Sequence, residues 1–232
     1  MQTNTRKHRG YALGQLSDPL QISESLFTML HFQTFIGGIF DTNAYLIQSI
    51  GGNILIDAPT GVSEWVGQLG VRVDLLLITH GHVDHFDGAA KVQRASKCQI
   101  AFHKDGIPMI TDPGFYKDFG LSFEAEPVQP DFLIEESTKT IFCGLSFRVL
   151  LVPGHCPGSL CFYSTEHGVL FGGDVLFAGG IGRTDLPGGD HRLLITGIRQ
   201  KILVLPDDTV VLPGHGPQTT IGQERHSNPF LQ

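Results

Sequence analysis

Four times along this chain, an apolar run breaks off near small residues and delivers side chains that bind metals. The first case is Asp74-Leu-Leu-Leu-Ile-Thr79 followed by His-Gly-His-Val-Asp-His85. The others are Val152-Pro-Gly-His155, Leu170-Phe-Gly-Gly-Asp174 and Val211-Leu-Pro-Gly-His215. The unbroken apolar stretch of the first reads as a strand buried on both faces. Small residues let the backbone come close to whatever the neighbouring side chain holds. Loops at strand ends, set on a rigid scaffold, are where sites are usually built. The repetition therefore constrains the fold to one in which several strands run out at a polar edge.

His80, His82, Asp84 and His85 fall within six positions, and packing does not explain that crowding. Burying them without partners would cost several kcal/mol. A lone histidine such as His155 or His215 is more often structural, so the argument rests on the set. Five histidines and two aspartates make seven candidate ligands: His80, His82, Asp84, His85, His155, Asp174 and His215. A tetrahedral catalytic metal takes three protein ligands plus water. Seven are too many for one ion and suit two that share a carboxylate. Two such ions about 3.5–4 Å apart can clamp a substrate and hold a hydroxide between them. Imidazole-rich ligation without cysteine favours zinc or iron over calcium or magnesium.

Short apolar runs bounded by Gly, Asn, Asp or Pro predict strands over 25–31, 43–49, 53–57, 74–79, 98–102, 146–152, 159–163, 168–172 and 209–213. Helices are predicted over 62–69, 86–95 and 190–205. In the last, Asp190 is the N-cap and Leu194, Ile198 and Ile202 recur at i+4. Gly197 inside it is a mild penalty. Residues 103–136, rich in Pro and Phe, read as an insertion carrying a helix and a loop over the active site. Phe115, Tyr116 and Phe119 either wall a substrate pocket or form that insertion's core. The pattern is mixed α/β. Two sheets between helices and one doubly wound sheet fit it equally well.

The 232 residues, 41% hydrophobic, suffice for one core, and a single domain over 1–232 is expected, with a flexible tail over 1–20. The formal charge of −7, with 16 Lys plus Arg, argues against nucleic acid as a partner. No stretch of about 18 apolar residues exists to cross a membrane. Arg6–Arg9 is basic, but no apolar segment follows it, so no secretory signal is read there. Cys98, Cys143, Cys156 and Cys161 form no C-x-x-C pair and read as reduced thiols, so a cytoplasmic location is expected.

The string H-x-H-x-D-H over His80–His85, followed by His155, Asp174 and His215, resembles the signature of the metallo-β-lactamase superfamily. All seven positions are filled in order, and the resemblance covers essentially the whole chain. It implies a four-layer αβ/βα sandwich of two mixed sheets flanked by helices, with the site at one edge. It also implies that His80, His82 and His155 hold a first metal, that Asp84, His85 and His215 hold a second, and that Asp174 bridges. Two divalent ions follow, zinc above all, with iron or a mixed pair as alternatives. Asp84 and Asp174 are the implied catalytic residues, Asp84 also orienting the hydroxide.

Three departures sort the branches. The main dizinc β-lactamases usually carry Cys where Asp174 stands, which argues against antibiotic hydrolysis. The flavin-linked di-iron oxidoreductases usually carry Glu where His82 stands. The nucleases add RNA-binding domains and basic surfaces. Residues 179–190, Gly-Gly-Ile-Gly-Arg-Thr-Asp-Leu-Pro-Gly-Gly-Asp, are similar to those of compact glyoxalase II-like hydrolases, as is the tail from Pro213 to Phe230.

The implied activity is hydrolysis of small thioesters such as hydroxyacylglutathione, with a small-molecule thioester as the partner. Arg183 matches a basic position that contacts glutathione. Asp185 stands where the full-length enzyme has a tyrosine. The chain runs about 17 residues beyond His215, so the helical domain that helps hold glutathione is not expected. Arg183 is expected to bind a substrate carboxylate, or else to pair with Asp185 or Asp190. Asp185 is expected near substrate, as an acceptor for a ligand histidine, or as a loop cap. The Gly-Arg-Thr-Asp string also occurs in persulfide dioxygenases, which use one iron on the equivalents of His80, His155 and Asp174. That activity is the alternative.

Overall fold

A computed structural model describes residues 30–112, 114–117, 120 and 125–232. Two six-stranded sheets face each other. The first has the order β1 (Phe32–Gly37), β2 (Thr42–Ser49), β3 (Gly52–Ile56), β4 (Leu75–Leu77), β5 (Gln99–Phe102) and β6 (Phe132–Leu133). Its first three strands are antiparallel, and β3 to β6 run parallel.

The second sheet is built from β7 (Ser137–Phe142), β8 (Leu145–Leu151), β9 (Leu160–Ser164), β10 (Val169–Gly173), β13 (Val210–Pro213) and β14 (Thr219–Thr220). Its order is β14-β13-β10-β9-β8-β7. A small hairpin, β11 (Leu176–Phe177) with β12 (Gly180–Ile181), stands beside it. Helices α1 (Val62–Gln68), α2 (Ala89–Ser96) and α3 (Ile107–Thr111) cover the first sheet. Helices α4 (His191–Gly197) and α5 (Ile221–Ser227) cover the second.

Alternation along each strand fills three apolar layers. In β2, Ala44 and Leu46 face α1 and α2, while Tyr45 and Ile47 face the other sheet. In β8, Val149 points between the sheets and Leu150 points to α4. The middle layer joins Ile54, Ile56 and Leu77 to Phe147, Phe162 and Phe171. Both faces of both sheets are thus buried, which excludes the single doubly wound sheet and gives the four-layer αβ/βα sandwich.

Several element expectations need correction. Residues 25–29 of the expected first strand and the expected tail 1–20 lie outside the described residues. Leu30 and His31 are not strand, and β1 begins at Phe32, where Phe35 packs on Trp65 at 5.4 Å between ring centroids. The helix expected over 86–95 starts later, at Ala89. A 3-10 turn, Val83–His85, stands three residues before it and carries Asp84 and His85, with His82 at its N-cap.

The insertion expected over 103–136 is shorter at its far end, because Phe132–Leu133 pairs with β5 as an edge strand. Strand β7 and helix α5 are additions. The polar outward face of β7 hides its period, and α5 lies within a stretch that holds no run of apolar residues. Asp190 does cap α4, accepting from the Leu193 amide at 2.9 Å.

Candidate metal centre

Strands β4, β8, β10 and β13 all run out at the same edge of the sandwich, and β3 ends beside β4. Backbone bonds lock the strand ends there, the first two of them between the sheets. The Leu160 amide donates to Thr79 O at 2.9 Å, Asn43 N to Gly214 O at 2.7 Å and Gly214 N to Gly173 O at 2.8 Å. Asn43 Nδ2 also donates to Pro213 O and Gly216 O, and Tyr45 Oη to Pro213 O. The loop that carries His215 is therefore fixed from the opposite sheet. A Cβ added at Gly214 would lie 2.2 Å from Asp174 Oδ1 and 2.6 Å from His85 Cε1, so only glycine lets this backbone pass.

All seven side chains singled out from sequence meet at this edge. Three sets have donor atoms within 4.8 Å of one another: His80, His82 and His155; His80, His85 and Asp174; Asp84, His85 and His215. His80 Nε2 lies 3.1 Å from His82 Nδ1 and 3.2 Å from His155 Nε2. His85 Nε2 and His215 Nε2 are 3.4 Å apart. Asp84 Oδ2 is 3.2 Å from His215 Nε2 and 3.4 Å from His85 Nε2. Asp174 reaches both sides, with Oδ2 3.4 Å from His155 Nε2 and from His215 Nε2, and Oδ1 3.4 Å from His85 Nε2.

The outer hydrogen bonds decide which imidazole nitrogens face inward. His85 Nδ1–H donates to Asp57 Oδ2 at 2.7 Å, His155 Nδ1–H to Arg183 O at 2.8 Å, and His215 Nδ1–H to Phe40 O at 3.0 Å. Thr79 Oγ1 gives its own proton to Asp57 Oδ2 and so accepts from His80 Nδ1–H at 3.0 Å. Each of these Nδ1 protons lies on the outer side, which turns Nε2 of His80, His85, His155 and His215 toward one another and toward two carboxylates. Asp174 Oδ1 is buried without a hydrogen-bond partner. Imidazole nitrogens crowded at 3.1–3.4 Å beside two carboxylates fit a cation, and the division into sets fits a dinuclear metal site.

The electrostatics agree. Burial and the neighbouring imidazoles hold His80 and His82 in the neutral, ligating form, His82 at about 3. Burial likewise lowers His155. For Asp84, burial opposes ionisation, yet His85, His215 and Thr42 hold the carboxyl down at about 2. Asp174 is held well below the usual carboxylate range, mainly by His85 and His215 against the effect of burial. Burial would likewise strip a proton from His215, but Asp174 and Asp84 raise it to about 10. The negative charge that keeps a proton on His215 is the charge that would keep a metal ion there.

Asp57 is the residue that sequence reasoning missed. It follows β3, is 2% exposed, and sits at φ 60, a left-handed conformation rare outside glycine. Its Oδ1 accepts from the Thr79 amide at 2.7 Å, and its Oδ2 from Thr79 Oγ1 and His85. It shows the same signal as the four ligand loops, an apolar strand ending in a polar residue, but reads there as the last residue of a strand. Thr42 was missed too. Its Oγ1 donates to Asp84 Oδ2 at 2.7 Å.

The expected acceptor role of Asp185 is filled instead by the Arg183 carbonyl on His155 and by Asp57 on His85. The Asp185 carboxylate is exposed and pairs bidentately with Arg183, at 2.7 Å for both bonds. Arg183 lines the cleft at its rim. Of the expected insertion aromatics, Phe115 and Tyr116 line the cleft, and Phe119 lies outside the described residues. The cleft over the cluster holds about 550 Å³, and its walls are mostly apolar, among them Phe40, Met109, Phe115, Phe177, Ile181 and Leu186. Among the described residues no helix is long and apolar enough to cross a membrane.

Hydroxyacylglutathione hydrolase GloC of Haemophilus influenzae is 39% identical over 199 residues, 83% of this chain and 93% of that protein. A crystal structure of BLEG-1 B3 metallo-beta-lactamase superimposes with a TM-score of 0.80 at 36% identity, covering 87% of this chain and 99% of that one. A crystal structure of TTHA1623 in a di-iron-bound form gives 0.77 at 34% identity, over 86% of this chain and 100% of that one. The profile of the metallo-beta-lactamase superfamily matches residues 37–215. From the site and these matches together, the chain belongs to the metallo-beta-lactamase superfamily.

Proposed function

We propose that the chain is a metal-dependent hydrolase of small thioesters, working with two divalent ions. His80, His82 and His155 would hold one ion and Asp84, His85 and His215 the other, with Asp174 in reach of histidines of both sets. The observation that carries this reading is the set of imidazole nitrogens and two ionised carboxylates converging on the floor of an apolar cleft. The name of the GloC relative, a hydroxyacylglutathione hydrolase, supports a thioester as the substrate.

When bound, the ions supply Lewis acidity toward the substrate carbonyl and a water acidified to about neutral pH. The chain supplies the rest. Asp84, held ionised and fixed by Thr42, orients the attacking water toward the thioester carbon. The outer bonds to Asp57, Thr79 Oγ1, Arg183 O and Phe40 O fix the imidazoles of His85, His80, His155 and His215, so most of the site is organised before substrate arrives. The apolar walls hold the organic part of the substrate and keep bulk water out.

Hydrolysis forms an acyl–oxygen bond and breaks the carbon–sulfur bond. The sulfur leaves as a thiolate, whose acid has a pKa of about 8.5, so little protonation is needed. No separate general acid is required, in keeping with a cleft whose remaining walls are mainly apolar.

The test is turnover of S-lactoylglutathione, glutathione persulfide and a β-lactam by protein of measured metal content. The reading expects two ions per chain and thioester hydrolysis. One iron per chain with oxygen consumption on the persulfide, and no thioester turnover, would replace it with the dioxygenase. The β-lactam belongs in the panel because the BLEG-1 structure, 36% identical, is that of a B3 metallo-beta-lactamase.

A further inference from the structure

Glu224 is a fully buried carboxylate, in the first turn of α5, that the hydrolytic scheme does not use. Among the described residues no cation pairs with it, and its hydrogen-bond partners are donors instead. Thr219 Oγ1 donates to Oε1 at 2.5 Å. The Gly179 amide donates to Oε2 at 2.9 Å, and Asn228 Nδ2 to the same oxygen at 2.8 Å. Asn228 Nδ2 also donates to Gly180 O at 3.0 Å. Gly179 lies in the turn of the β11–β12 hairpin and Gly180 opens β12, so helix α5 grips the tip of the hairpin through both peptide groups. The segment that carries these side chains, Thr219 to Asn228, is part of the tail that sequence singles out and the chemistry leaves unexplained.

The gripped hairpin is the piece of chain between the two halves of the metal centre. Phe177 on β11 faces the His215 ring at 6.3 Å and walls the cleft, and Ile181 on β12 walls it as well. One residue further, a Cβ on Gly182 would strike Asp174 O at 2.0 Å and His155 Cβ at 2.9 Å, so the strand runs hard against both ligands. Next, Arg183 O accepts from His155 Nδ1 and fixes its ring. A hairpin this short, two residues per strand, makes few bonds of its own to hold such a position.

We infer that Glu224, with Asn228, is a positioning residue: it sets the β11–β12 hairpin so that Phe177 and Ile181 form the substrate wall and Arg183 O holds His155 toward the metal. This rests on the hydrolase reading for its substrate arm, but its metal arm stands on geometry alone. The chemistry makes a sharp distinction between variants. In Glu224→Gln, the amide NH2 can donate to Thr219 Oγ1 while the remaining oxygen still accepts from Gly179 and Asn228. In Glu224→Ala, the hairpin loses its anchor.

The experiment measures kcat and KM for S-lactoylglutathione, zinc affinity by competition with a chromogenic chelator, and melting temperature. It is run on the wild type, Glu224→Ala, Glu224→Gln and Asn228→Ala. Glu224→Ala is expected to raise KM about tenfold or more and to weaken zinc binding several-fold, with Glu224→Gln close to wild type in both. Asn228→Ala, which leaves Glu224 in place and cuts the Gly180 link, is expected to move KM and zinc affinity in the same direction by less. Lower melting temperatures with KM and zinc affinity within twofold of wild type would show a merely structural role and overturn the inference. If Glu224→Ala does not fold, Asn228→Ala decides on the same two readouts. A wild type that turns over no thioester yet binds zinc would sink the proposed substrate, and the zinc arm would still judge Glu224.

Discussion

At the scale of single residues, the site depends on side chains that never touch a metal. Asp57 stands between β3 and the ligand loop, binding the Thr79 amide and hydroxyl and the outer nitrogen of His85 at once. Asp57→Asn keeps the size and loses acceptor capacity, so either His85 or Thr79 loses its partner. We expect zinc affinity to fall by about 10–100-fold, read by chelator competition, with the chain still folded by circular dichroism. Undiminished affinity would mean that ring orientation here is set by packing alone. Arg183 teaches the reverse lesson. Its guanidinium, the part that sequence marks as important, lies paired with Asp185 at the rim, while its backbone oxygen holds a ligand. No inspection of residue types ranks a carbonyl above a guanidinium.

At the scale of elements, α4 shows how sequence rules and tertiary needs divide a helix. Leu194, Ile198 and Ile202 recur every four residues and all three are fully buried under the second sheet. Gly197, a penalty by propensity, is explained by contact: a Cβ there would meet Val152 Cγ1 at 2.8 Å. The helix widens into a π-turn over Ile198–Ile202 directly after it. Asp190 fixes the start of α4, and its backbone oxygen lies 2.6 Å from where a Cβ on Gly154 would stand, in the turn before His155.

Removing the Asp190 side chain in Asp190→Ala should cost about 1 kcal/mol of stability, measured by denaturant unfolding with unchanged slope. A change under about 0.3 kcal/mol would show that packing of the helix face outweighs the cap. Helix α5 was legible in principle. Thr220 caps it through the Gln223 amide at 3.2 Å, and Thr-x-x-Gln is a helix-start pattern. It escapes notice because the segment has no apolar period of its own: only Ile221 and Glu224 within it are buried.

For the whole molecule, the cluster is a place where like groups are held together against their own repulsion. Three buried neutral histidines and two ionised carboxylates share one edge, and the fold carries that arrangement on bonds between its two sheets. Metal ions should therefore stabilise the folded state strongly. At an ion concentration about 100 times the dissociation constant the gain is about 2.7 kcal/mol, which for a chain of this size shifts Tm by roughly 5–10 °C. Stripping with a chelator should lower Tm by that amount, and re-adding zinc should restore it. Coincident melting curves with and without metal would place the cluster outside metal binding. Affinity should also fall as pH drops below about 10, the value to which Asp174 and Asp84 raise His215, because a proton there competes with the ion; His82, lowered to about 3, competes only in strong acid.

The sequence by itself determined the seven-residue cluster, the α/β character and the superfamily, because ligand chemistry demands particular residue types and strands demand apolar runs, and both are written locally. It also marked the loops, since glycine and proline are needed wherever the backbone turns beside a ligand. The choice of two facing sheets over one, the partners Asp57, Thr42 and Arg183 O, and the grip of Glu224 on the hairpin were decided only by tertiary structure. Each depends on which strand ends lie side by side, and residues 57 and 79, or 179 and 224, become neighbours only when the sheets are assembled. A carboxylate that accepts from a backbone amide across the fold leaves no periodic trace along the chain.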